Sequence, residues 1–391
     1  MATKRFDPMI LLIVVLVLFV ALAVAAQVVL GKIDQERADN LAAEQQIVRD
    51  ENERIDQEWE ITKEEYLASI NGDTANKAWP AAASQGGDVI DLTHYPLESP
   101  YNRSVSRSDA MFGGLLLVNE WHSRPEDFDE SMMVSLNSYV RGANTGLESF
   151  WDDASCKLHP VAIDALVEML LDAKAEGYDH YVVKKGYNFR TFEDQQTRFN
   201  AELDRQRTSR PNMADEELIA RARKNVNYPG TSEFNSGLSF CLYLYEGEEG
   251  EVKQYYKDTP FYDTPDGQWL LENAWRYGFV FRFPVEGYPA ADTADKSATT
   301  GVSPQLNCYR YVGKGHAAAM HSLGLCLEEY IAYLMENPHI AIYENGEMRY
   351  EIVWQPVDNA ADPFTVLVDG ACEAYTLSLD NVSGIATVYE Y

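Results

Sequence analysis

Metal and nucleophile chemistry needs histidines, cysteines, carboxylates or an activated serine at set spacings. This chain offers seven His and five Cys, and none of the familiar spacings occurs. There is no HExxH helix, in which two histidines one turn apart share a zinc ion and the glutamate between them takes a proton. A CxxC pair, a GxSxG elbow, an SxxK and a Walker loop are missing as well. His316 and His321 stand five residues apart on a predicted helix, which turns them to different faces, so surface positions are expected. Gly313-Lys314-Gly315 is too short to cradle a phosphate and reads as a turn. With five cysteines, at least one thiol has no partner inside the chain.

The elements that must position a site start from composition. Of 391 residues 46% are hydrophobic and 24 are tyrosines, enough for a large core, which excludes a wholly disordered chain. A formal charge of −30 repels phosphate backbones, so no nucleic-acid partner is expected and the acidity reads as solubility. Residues 9–30 carry no charge and are long enough to cross a bilayer as a helix. Lys4 and Arg5 precede them and an acidic stretch follows, which predicts residues 1–8 as a cytoplasmic tip and the bulk of the chain outside. Ala23-Val24-Ala25 keeps a removable signal peptide open as the alternative. Either way the folded part is extracytoplasmic, and a single-pass protein of the cell membrane is the expectation.

Residues 31–70 are acid-rich, with a thin apolar stripe at Val48, Ile55, Trp59 and Tyr66, and read as a charged helical stalk. Glu44, Glu51 and Glu58 oppose a strong coiled coil. Residues 71–110 begin with an Ala/Gly/Ser/Asn-rich run and read as a linker. A globular domain is expected over 111–336, with strands at 115–119, 181–183, 238–245, 279–283 and 309–312. Helices are predicted at 160–176, 192–203, 269–277 and 317–335. Residues 337–391 hold only short β-like runs and suggest a small β-domain. The fold class is α+β, with helices packed on a small antiparallel sheet.

Several segments, in order, resemble one family. Leu117-Val118-Asn119 with Pro125-Glu126-Asp127-Phe128, then Phe189-Arg190-Thr191 with Gln195, match its first motifs. Trp269-Leu270-Leu271-Glu272-Asn273-Ala274, Tyr277-Gly278-Phe279, Arg282-Phe283-Pro284 and Tyr309-Arg310-Tyr311-Val312-Gly313 continue the match, and Leu327-Glu328-Glu329-Tyr330 closes it. These are similar to the VanY-type D-alanyl-D-alanine carboxypeptidases, zinc enzymes of the lysostaphin/hedgehog-like (LAS) fold. The resemblance covers roughly residues 112–335 and implies a LAS-type zinc-peptidase-like core.

At the family's active-site motifs the chain departs from the pattern. The family binds zinc through the His and Asp of SxHxxGxAxD and the His of ExWH, whose Glu is the general base. The first motif aligns on residues 232–241, keeping Ser232, Gly237 and Leu238, but its ligand positions hold Phe234 and Cys241. The second aligns on Gln305-Leu306-Asn307-Cys308, so Gln305 replaces the base and Cys308 the last ligand. A phenylalanine has no lone pair, and a glutamine cannot accept the proton of a metal-bound water. No catalytic residue is therefore intact and no zinc cofactor is expected. The resemblance further implies that Arg190, with Gln195 and Ser232, binds the carboxylate end of a peptidoglycan stem peptide; a structural ion pair between Arg190 and one of the many acidic side chains stays open as the alternative. Cys241 and Cys308, standing at two ligand positions of one metal, should face each other as a disulfide, as two free thiols or as part of a thiolate metal site. The leading expectation is a membrane-anchored pseudoenzyme that binds stem peptide or a cell-wall protein. An active zinc carboxypeptidase with rearranged ligands, and a structural envelope anchor with a vestigial pocket, stay open.

Overall fold

The structure, a computed structural model, describes residues 88–141, 155–246, 260–358, 361–372 and 374–391, with Lys32, Leu147, Lys253 and Gln254 besides. The predicted tip, membrane segment and stalk lie outside the described residues, Lys32 excepted. Among the described residues no helix is long and apolar enough to cross a membrane.

Strands β1 (Asp88–Asp91) and β2 (Pro100–Val105) come first, and β3 (Val134–Ser135) pairs with β4 (Lys157–Leu158). The central sheet is antiparallel throughout. It contains β5 (Tyr181–Val183), β6 (Ser239–Glu246), β7 (Lys253–Gln254), β8 (Phe279–Phe281) and β9 (Cys308–Tyr311). Their order is β5-β6-β9-β8, with β7 on the C-terminal end of β6. Five further strands follow: β10 (His339–Glu344), β11 (Glu347–Pro356), β12 (Phe364–Asp369), β13 (Tyr375–Leu379) and β14 (Gly384–Glu390). They build a second sheet, β1-β10-β11-β14-β13, and a ribbon in which β12 pairs β2.

The central strand β6 reads SFCLYLYE, and a continuous apolar run of this kind suits a strand covered on both faces. Helix Pro160–Ala175 covers one face through Ile163, Leu166, Leu170 and Ala173, which share a core with Phe240, Leu242 and Phe279. Each of the Ile, Leu and Phe side chains contributes about 1.5–3 kcal/mol on burial. The helix stops where Gly177 adopts φ +93°, a left-handed conformation that glycine enters without strain.

Four expectations change. Residues 115–119 form no strand, although they are buried. The Leu115 N–H donates to Ser378 Oγ at 2.8 Å and the Leu117 N–H to the Asp380 carbonyl at 2.9 Å, so their polar groups are met without a ladder. The predicted helix at 317–335 is two helices, Lys314–Leu323 and Leu327–Glu336, broken at Gly324 with φ +66°. Helix Asp215–Arg223 went unpredicted because only Leu218, Ile219, Ala220 and Ala222 interrupt its charges. From Asp88 on, the expected linker is β-structure, because β10 and β12 supply partners that only the distant C-terminus can bring. For the same reason residues 337–391 do not stand apart. Ile340, Ile352 and Trp354 share one core with Leu115, Leu117, Ala318 and Leu334.

Candidate functional site

The loop before helix Phe192–Ser209 carries the first site residue. Thr191 caps that helix in a reciprocal box with Asp194, which fixes the chain direction just after Arg190. The loop is tied to the turn Glu233–Asn235: the Arg190 N–H donates to the Phe234 carbonyl at 2.9 Å, and Asn235 Nδ2 donates to the Arg190 carbonyl at 2.9 Å. The Arg190 guanidinium donates from Nε and Nη2 to the Gly186 carbonyl, at 2.8 and 2.6 Å, and from Nη1 to Gln195 Oε1 at 3.2 Å. Gln195, buried one turn into the helix, donates in turn to the Asn227 carbonyl at 2.7 Å. Three of the five guanidinium N–H groups are thus used and two remain. Burial, followed by the neighbouring Arg198 charge, lowers Arg190 to about 10, so it stays cationic at neutral pH. Arg190, Gln195 and buried Ser232 line one cavity of about 350 Å³. The three residues expected to bind a peptide end are therefore brought together.

The positions that the resemblance equates with zinc ligands also meet. Phe234, Cys241 and Cys308 are buried and pack with Phe283 in one apolar cluster, bordered by Tyr187, Val302 and Leu306. Arg190 lies over the Phe234 ring at 4.4 Å, and Tyr187 meets that ring edge-on at 5.8 Å. Cys241 and Cys308 are direct cross-strand partners in β6 and β9. The flanking bond, Leu242 N–H to the Asn307 carbonyl at 2.8 Å, marks them as a non-hydrogen-bonded pair, whose Cα atoms lie about 4.5 Å apart. That spacing is within disulfide range, while both thiols are unbridged in the structure. Burial and the adjoining Cys241 thiol push Cys308 well above the ordinary thiol range. This donor set does not fit a catalytic zinc, which takes three protein ligands: two thiols are present and the third position is an aromatic ring. Gln305 is exposed and does not line the cavity. Among the described residues no group of three His, Cys, Asp or Glu could hold a metal ion.

Sequence reasoning missed the charge network beside this cluster. Glu233 is buried and accepts from Ser239 Oγ at 2.5 Å, from Arg282 Nε at 2.7 Å and from Arg310. Arg282 also makes a bidentate pair with Glu328 at 2.9 and 2.7 Å. Arg310 Nη2 donates to the carbonyls of Gly114 and Leu116, both at 2.8 Å, which fixes the buried 114–116 segment. Burial alone would raise the Glu233 carboxyl, but the Arg310 and Arg282 charges outweigh it and hold the group at about 2. The available signal was a single acid in the 232–241 motif, with two arginines, Arg282 and Arg310, on predicted strands.

Other residues stay outside this site. His316, expected at the surface, is buried and bonded to Tyr330 through Nδ1 at 3.0 Å, because its helix is covered by the C-terminal sheet; burial lowers it to about 3. His321 is exposed and stacks on Trp275. Cys156 and Cys326 are buried and Cys372 is half-buried, none of them at the cavity. Two larger hollows, of about 550 and 580 Å³, contain none of the expected site residues.

Comparison with known proteins gives the geometry a family context. Residues 155–313 match the model of the VanY family, D-alanyl-D-alanine carboxypeptidase. The chain is 29% identical over 294 residues to a D-alanyl-D-alanine carboxypeptidase of Enterococcus faecium, covering 75% of this chain and 80% of that protein. It is 27% identical over 252 residues to a D-alanyl-D-alanine carboxypeptidase of Enterococcus faecalis, covering 64% and 78%. In fold it is similar to the vancomycin-resistance D,D-dipeptidase VanXYg in complex with a D-Ala-D-Ala phosphinate analogue. That likeness has a TM-score of 0.53 at 20% identity and covers 75% of this chain and 99% of that one.

Proposed function

Residues 155–313 are a domain of the VanY, D-alanyl-D-alanine carboxypeptidase, family, and from that premise we propose that the chain binds the carboxylate end of a D-Ala-D-Ala stem peptide without cutting it. The observation that carries the reading is the contrast between one cavity wall and the adjoining cluster. On the wall, Arg190 keeps two N–H donors for a carboxylate, a task its planar fork suits. In the cluster, Phe234, Cys241 and Cys308 fill the metal position with apolar contact, and Gln305, exposed outside the cluster, cannot act as a base. The peptide is held and the water that would attack it is not activated.

We place this binding outside the cell, with residues 9–30 as the anchor in the membrane and peptidoglycan stem peptide or a cell-wall protein as the partner. The uncharged length of that segment and its Lys4/Arg5 flank support the placement. The test uses the full-length chain. Titration calorimetry with an acetylated peptide ending in D-Ala-D-Ala is expected to register binding that Arg190→Ala abolishes. D-alanine release is expected to stay at background with zinc supplied, and elemental analysis to find far less than one zinc per chain. Chelator-sensitive release of D-alanine would overturn the reading in favour of a working enzyme. Absence of binding would leave a structural anchor with a vestigial pocket.

A further inference from the structure

The chain's formal charge is −30, yet the cavity that holds Arg190 is lined by four cationic side chains, Arg190, Arg198, Arg223 and Lys224. Two carboxylates share the lining. Glu233 is committed to Arg282, Arg310 and Ser239, and Glu120 lies against Gly301 in another segment of the wall. The Arg190 and Arg198 side chains converge on one residue. Arg190 donates twice to the Gly186 carbonyl, and the Arg198 Nη2 atom lies 2.7 Å from where a Cβ on Gly186 would stand. Among the described residues neither Arg190, Arg198 nor Lys224 is ion-paired with a carboxylate. Like charges gathered in a partly enclosed site raise its free energy, and a bound anion relieves that cost. The positive field also concentrates anionic ligands against the repulsion of the surrounding acidic surface.

A single terminal carboxylate uses the two free donors of Arg190 and leaves Arg198 and Lys224 without a counter-charge. At about 350 Å³ the cavity is at the small end for ligand sites and takes a short peptide end. A second anion on the same ligand must therefore sit close to the first. We propose that this cavity selects a dianionic peptide end: the terminal carboxylate of D-Ala-D-Ala at Arg190, and a second carboxylate, one or two residues upstream, between Arg198 and Lys224. The inference rests on the peptide-binding reading of the same cavity and adds the substrate class to it.

The experiment is calorimetric titration of the full-length chain at low salt. The peptides end in D-Ala-D-Ala and are identical except for Glu, Gln or Lys immediately before that end; a second set moves the substitution one residue further out. In at least one set the Glu peptide is expected to bind about tenfold tighter than the Gln peptide, with the Lys peptide weakest. The advantage should shrink as salt rises. In the double variant Arg198→Gln, Lys224→Gln the ratio of Glu-peptide to Gln-peptide affinity should fall to about one, whatever affinity the two peptides then share; both side chains are exposed, so the fold is spared. Equal affinity for Glu and Gln peptides in both sets would overturn the dianion inference and leave the peptide-binding reading standing. Failure of all the peptides to bind would overturn both.

Discussion

Glu233 and Phe234 are consecutive residues of one short turn, and their side chains enter regions of opposite character. Glu233 enters a buried network in which two acids and two arginines are mutually paired. Phe234 enters a cluster of aromatic, thiol and aliphatic groups. Buried charges tolerate little change, because removing one leaves another unpaired in a poorly solvating interior. Apolar contacts tolerate exchange of similar volumes. The frame of the fold is therefore secured by the network, and the adjoining cluster by apolar packing.

The largest expected effect breaks the network. Arg282→Met leaves Glu233 and Glu328 short of a partner and should lower stability by about 3–5 kcal/mol in urea unfolding. A loss below about 1 kcal/mol would erase the distinction between the two regions. The same network sets an acid limit. Glu233 lies at about 2 when folded against an ordinary 4.5, so its contribution is complete above pH 4.5 and is lost as pH falls through about 2. That shift corresponds to about 3 kcal/mol. An unfolding free energy that stays flat between pH 5 and 2.5, or one that Glu233→Gln leaves with the same slope, would contradict it.

The cluster should respond more mildly. Refolding from denaturant with glutathione disulfide present, so that the thiols are reachable before burial closes over them, is expected to join Cys241 to Cys308 by exchange, each protein disulfide forming as one glutathione disulfide is reduced to two thiols. In denaturant the count should then fall from five thiols to three, with a gain of about 2 kcal/mol. Five thiols after prolonged exchange would mean that the cross-strand pair does not close. Smallest of all, Phe234→Leu should cost about 1 kcal/mol, since one apolar group replaces another beneath Arg190. A cost matching that of Arg282→Met would make the ring a keystone of the frame.

Much of the central sheet was legible in the sequence. The apolar run of β6 and the periodic face at Ile163, Leu166 and Leu170 are local signals, and local signals survive in a one-dimensional string. The segment 115–119 was misread because its polar groups are satisfied by Ser378 and Asp380, more than 260 residues away. Strands β1 and β2 read as linker for the same reason, since their partners lie at the other end of the chain. His316 was placed at the surface because helical spacing does not reveal that a sheet covers the helix.

For the site, residue identity alone fixes which donor and acceptor atoms each position offers. The identity of Phe234, Cys241, Cys308 and Gln305 decides what atoms can donate to a metal or accept a proton, and no fold alters that. Only the tertiary structure decided what those residues do instead. It set two cysteines side by side across strands, stacked a guanidinium on the ring, and gathered Arg198, Arg223 and Lys224 around Arg190 in a chain of the opposite charge. Such juxtapositions come from strand register and helix packing over long separations in sequence, and they exist only once the chain has closed on itself.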